Sequence, residues 1–156
     1  WYAAYSAGSI GEAVQAVDDG LFELSTRLVD VMSNTLRRAS ELIKFFTEES
    51  KSLGERFSKR DPDITDTESA RRGLKTLFRL AADQNAKLLR AQAERSDRVA
   101  QVEQYPTWGH GSPGRASLAD YADRIGRLAR AEQHLDLNAN VQLVVETTAN
   151  ELTGGQ

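Results

Sequence analysis

A chain of 156 residues and 17.2 kDa has room for one domain and too little for two ordinary ones. Its net charge of −3 provides no overall basic field for nucleic acid or acidic membranes, and no run approaches the roughly 18 apolar residues of a membrane-spanning helix. It contains no cysteine, which excludes disulfides and thiolate metal sites.

Apolar residues make up 40% and charged residues 28%, with a mean hydropathy of −0.51, a balance that fits helices sharing a narrow apolar seam. Residues 1–8 form an aromatic amino-terminal segment, "WYAAYSAG". Trp1, Tyr2 and Tyr5 stand ahead of the first helix start and read as an assembly contact. The first helix is expected over about 9–60. Ser9 and Glu12 have capping-box spacing, and Ile10, Val14, Val17, Leu21, Leu24, Leu28 and Val31 recur in steps of four and three. The stripe then shifts phase through Met32 and Leu36 to Ala39, Ile43, Phe46, Leu53 and Phe57, as a stutter in a supercoil would. Gly20 and Gly54 mark places where it can bend.

After a charged turn at Pro62, Thr65 and Glu68 open a second helix expected over 65–104. Its stripe of Ala70, Leu74, Leu77, Ala81, Leu88, Ala91, Val99 and Val102 is rich in alanine, which lets neighbours clamp it closely. Residues 105–116 are a loop stiffened by Pro106 and Pro113. It is either a turn whose Trp108 folds back to cap the core between helix ends, or a presented tip with Tyr105, Trp108 and His110 as candidate contacts. A third helix follows over 117–152, with Leu118, Tyr121, Ile125, Leu128, Leu135, Ala139, Val141, Val144 and Leu152 on its face. Short turns make neighbours antiparallel, so the predicted fold is all-α: an elongated antiparallel three-helix bundle whose first helix would be about 75 Å long if unbroken. Residues 10–50 have a net charge of −4 and residues 71–98 of +5, so the first two helices are expected to attract.

No constellation for catalysis emerges. His134 has Glu132 and Asp136 two residues to either side, which point away from it on a helix, whereas a di-iron bundle needs Glu-x-x-His on two helices. Glu48 and Glu49 are consecutive and cannot face one another. The bases of the second helix are spread around it, with Phe78 the one aromatic available for base stacking. The sequence therefore predicts no enzyme activity, no metal, no cofactor and no nucleic-acid partner. Composition and spacing give the architecture of the protein and not its function.

The segment "DLNANVQLVVETTANEL" resembles the last helix of the minor pilin subunits of type IV secretion and conjugation systems. The matching positions are Asp136, Leu137, Ala139, Val141, Gln142, Asn150 and Glu151, and "RIGRLARAEQHLDL" looks like the stretch preceding that motif. The family commonly has arginine where Asn140 stands and glutamate where Val144 stands. The resemblance implies a secreted, periplasmic or extracellular pilus subunit without catalytic residues. Such a subunit would form homo-oligomers and contact other pilus and secretion components. The chain begins at Trp1 rather than methionine, which a removed signal peptide or a trimmed end would explain. The alternatives are a cytoplasmic coiled-coil scaffold or adaptor, a helical type VII-secreted protein, and a phage structural subunit.

Overall fold

The computed structural model describes residues 1–35, 38–99 and 117–154. Every regular element among them is helical: α1 (Tyr2–Tyr5), α2 (Ile10–Asp18), α3 (Leu21–Thr35), α4 (Ala39–Arg60), α5 (Asp66–Val99), α6 (Leu118–Asp136) and α7 (Val141–Leu152). The protein is all-α, as its periodicity predicts.

The predicted helix starts fall where their caps stand, because a side-chain oxygen there satisfies an N–H that has no carbonyl partner within the helix. Ser9 Oγ accepts from the Glu12 N–H at 3.4 Å, and Thr65 Oγ1 from the Glu68 N–H at 3.2 Å. Ser117 and Asp120 form a reciprocal capping box. The Ser117 N–H bond, and then its hydroxyl, hold the Asp120 carboxyl below its ordinary pKa.

The helix expected over 9–60 is instead three segments. Gly20, at φ +62°, ends the run of α2 in the left-handed conformation that glycine adopts most readily. Asp19 beside it is buried, its carboxylate paired with Arg60 at 2.5 Å and its carbonyl accepting from Arg56. The chain then reverses between α3 and α4. Arg27, near the middle of α3, holds Glu49, near the middle of α4, through two bonds of 2.6 and 2.9 Å. The shift in phase of the apolar pattern therefore separates two helices that pack against one another, and is not a stutter in one long rod. Gly54, the other candidate bend, lies inside the continuous α4.

The third predicted helix also divides. Asn138 adopts φ +60°, a conformation that a short polar side chain tolerates, and Asn140 Oδ1 caps α7 through the Leu143 N–H at 3.2 Å. Arg127 of α6 reaches the Glu151 carbonyl of α7, so the two helices lie back to back as a hairpin.

These reversals replace three rods with a ring. Helix α4 packs on α5, α5 on α6, α6 on α7, and α7 returns to α4, while α3 packs on both α4 and α5. The core holds Leu42, Phe46, Leu74, Leu77, Phe78, Leu128, Leu135, Val145 and Ala149, joined by Leu21, Leu24 and Leu28 of α3. Phe46 and Phe78 meet edge to face across α4 and α5, their centroids 5.4 Å apart. As its alanine-rich stripe predicts, α5 is clamped between α4 and α6. Its bases, however, pair with α6 more than with the acidic first helices: Arg79 binds Glu132 at 2.5 Å and Lys75 binds Asp136. The Glu132 carboxylate, accepting the guanidinium's hydrogen bonds, raises the Arg79 pKa.

Candidate interaction surface

The aromatic segment folds onto the bundle. Trp1 and Tyr5 stack with centroids 5.0 Å apart and planes 7° from parallel, Tyr2 meets Trp1 edge-on at 5.1 Å, and Phe22 of α3 closes the cluster at 5.8 Å from Trp1. The Lys87 ammonium of α5 sits 5.7 Å from the Trp1 ring centroid. Burial raises the pKa of the Tyr5 phenol, and the positive charge of Arg79 works against that rise. All three aromatics are half-buried against the core. In this arrangement their first contact is with their own chain.

That packing positions α2. The chain leaves α1 through Ala7 at φ +47° and Gly8 at φ +89°, and Ser9 then caps α2. Helix α2 packs on α1 and α3, with Ala16 only 2% exposed. Its large side chains point the other way: Ile10 is 82% exposed, Val14 54% and Val17 52%. Their spacing of four and three puts them on one stripe. The sequence places these residues in the core, and the structure corrects that placement. Leaving such a side chain in water instead of burying it forgoes about 1.5–3 kcal/mol. Single exposed aliphatics are ordinary, whereas three on one stripe mark a contact surface.

The charged side chains of this segment itself have one sign. Residues 1–26 carry four carboxylates, Glu12, Asp18, Asp19 and Glu23, and no basic side chain. Asp19 is held by Arg60, but Glu12, Asp18 and Glu23 form no ion pair among the described residues. Elsewhere among the described residues, ion pairs form both within helices and between them.

The other candidates gather less. A shallow groove of about 540 Å³ runs between α4 and α5, lined by Lys51, Gly54, Glu55, Ser58, Lys59, Asp66, Ser69 and Ala70. It follows from the close approach of the two helices and holds no histidine or tyrosine. His134 is exposed near the end of α6, and no group of three metal-ligating side chains occurs among the described residues. Tyr105, Trp108 and His110 lie outside the described residues.

The residues that carry the pilin resemblance are divided by the α6–α7 turn. Asp136 is tied to Lys75, Leu137 is 80% exposed, and Gln142 donates to Glu146 at 2.7 Å.

No protein-family model, curated protein or solved structure matches the chain.

The unpaired stripe on α2 could not be read from periodicity, which shows that a helix has an apolar face but not which way the face points. A signal was present nonetheless. Ala16, off the stripe of Ile10, Val14 and Val17, is small enough for close packing, and no base accompanies the acids of the segment.

Proposed function

We propose that this chain is a non-enzymatic assembly subunit that docks onto other protein surfaces through the outward face of α2. The observation that carries the reading is the exposure of Ile10, Val14 and Val17 together on one stripe, beside Glu12, Asp18 and Glu23, which form no ion pair among the described residues. A packed α1 and a capped α2 hold that stripe in place before any partner arrives, which lowers the ordering cost of association. The assembly we propose is a type IV secretion or conjugation pilus, with this chain as an exported, minor-pilin-like subunit. Its support is the likeness at Asp136, Leu137, Ala139, Val141, Gln142, Asn150 and Glu151. The aromatics Trp1, Tyr2 and Tyr5 then contribute by fixing the α1–α2 unit against α5.

A photo-crosslinking side chain at position 14, introduced in the native cell and read by mass spectrometry of envelope and cytoplasmic fractions, tests both levels. Adducts with pilus or secretion-channel components support the whole reading. Adducts confined to cytoplasmic proteins keep the assembly role and favour a scaffold or adaptor. If position 14 gives no adduct beyond that of an exposed control position on α6, the assembly role is wrong.

A further inference from the structure

The direction of α2 is decided at its far end, where Asp19 and Gly20 make the corner with α3. The backbone bonds of Gly20 leave the angle of that corner open. Its N–H donates to the Val17 carbonyl of α2 at 2.9 Å, while its carbonyl accepts from Leu24 of α3 at 3.1 Å, so each bond serves one helix. Glycine at φ +62° is also the residue that least restricts the chain.

Two arginines of α4 grip this corner. Arg60 binds the Asp19 carboxylate at 2.5 Å, and Arg56, one turn earlier, donates to the Asp19 carbonyl. Asp19 is the C-cap residue of α2, where carbonyls lack helical partners and the helix dipole is negative. Like charges four residues apart on a helix repel unless an anion lies between them. Here the carboxylate and the carbonyl end of α2 supply it. The socket is shaped for the contact: the Arg60 guanidinium lies 5.3 Å from the centroid of the Phe57 ring, which holds it in place. A Cβ at position 20 would come within 3.1 Å of Arg56 Nη1, so glycine leaves that guanidinium its room. The Asp19 side chain is only 9% exposed, an environment in which a carboxylate without its partner is costly.

Building on the docking role of α2, we propose that Arg56 and Arg60 are positioning residues for the Ile10–Val14–Val17 face. Their clasp on Asp19 sets the course of α2 relative to α3. Without it α2 swings about Gly20, and the face is competent to dock for only part of the time, which lowers its apparent affinity by that fraction.

The chain has no cysteine, so Gln15→Cys on α2 and Thr47→Cys on α4 can carry spin labels, both at exposed positions outside the stripe. Pulsed dipolar spectroscopy of the purified full chain is expected to give one narrow distance distribution. Arg60→Ala should broaden it, as should Asp19→Asn, which keeps the shape and removes the charge, and Arg60→Lys should restore much of the order. Amide exchange over residues 10–18 should quicken by about tenfold or more in the first two variants, with residues 42–53 of α4 unchanged. In the cell, the yield of adducts at position 14 should fall in proportion to the share of α2 that leaves the wild-type distance. If both variants keep the narrow distance and slow exchange, the corner holds without the clasp and the proposal is overturned. A broadened distance with adducts at the wild-type level overturns it too, since docking would then need no fixed helix. A wild type that yields no adduct overturns the docking role instead, a failure told apart from that of the clasp because the distance and exchange measurements involve no partner.

Discussion

Ser50 of α4 and Gly73 of α5 meet backbone to backbone. A side chain at position 73 would overlap the Ser50 carbonyl oxygen and come within 3.1 Å of its carbon. The contact is reciprocal: one turn away on each helix, a Cβ on Gly54 would sit 3.2 Å from the Ser69 carbonyl. Ser50-x-x-x-Gly54 on one helix therefore faces Ser69-x-x-x-Gly73 on the other, and small residues let the two backbones touch.

Gly73→Ala is expected to destabilise the protein by about 1–3 kcal/mol net, because forcing two helices apart outweighs the ~1 kcal/mol that alanine gains in helix propensity. Gly54→Ala, where the added carbon fits more easily, should be milder by about 1 kcal/mol or more. Urea denaturation of both variants decides this. Equal stability would mean that the helices do not approach at Gly73.

The orientation of α2 gives a contrast between two nearby positions. Ala16→Glu places a charge at a site only 2% exposed and should cost about 2 kcal/mol or more, whereas Val14→Glu should stay within about 0.5 kcal/mol of the wild type. Chemical denaturation compares them directly. A costly Val14→Glu with a tolerated Ala16→Glu would turn the helix over.

The reversal between α6 and α7 depends on Asn138 at φ +60°, where its Oδ1 also accepts from Arg71 at 2.7 Å. Asn138→Val should destabilise by about 1–2 kcal/mol, since a branched side chain resists the left-handed region. Asn138→Gly should lose less, keeping the turn and giving up only the Arg71 bond. Thermal unfolding of the two variants separates backbone from side-chain effects. A valine variant as stable as the glycine one would show that the turn is not left-handed.

Burial favours the neutral Tyr5 phenol in the folded state, so its pKa lies above the ordinary value of about 10. Folding therefore gains from this group below pH 10 and loses that gain as the pH climbs through the folded value. In an ultraviolet titration, Tyr5→Phe should remove a phenol that ionises above the ordinary value. If the variant instead loses an early-titrating phenol, Tyr5 is open to solvent.

The element types and three of the helix starts were legible because caps and periodicity are local. Ser9, Thr65 and Ser117 announce their helices within four residues, and the Leu21–Leu24–Leu28 stripe is buried as its spacing predicts. Reversals were harder to see, because two helices joined by a tight turn keep apolar residues coming at nearly the spacing of one. Asn138 and Asn140 held the missing signal, one suited to positive φ and the other to a helix start. Pairing depended on chain reversals not yet placed, which is why the bases of α5 matched α6 instead of the first helices. The candidate surface was hidden for another reason: Ile10, Val14 and Val17 have the spacing of core residues, and only the packing shows that they face outward.

The return of α7 to α4 also sets the order in which the protein can be made. Phe46 and Leu42 emerge long before Val145, Ala149 and Leu152, yet those late residues belong to the same core, with α5 and α6 synthesised between them. Contacts so distant in sequence form slowly, and the unsealed side of α4 stays sticky while they are awaited. A nascent chain of this kind gains its full protection only once residue 152 is free to move, which opens a window in which a holding chaperone can still find it unfolded.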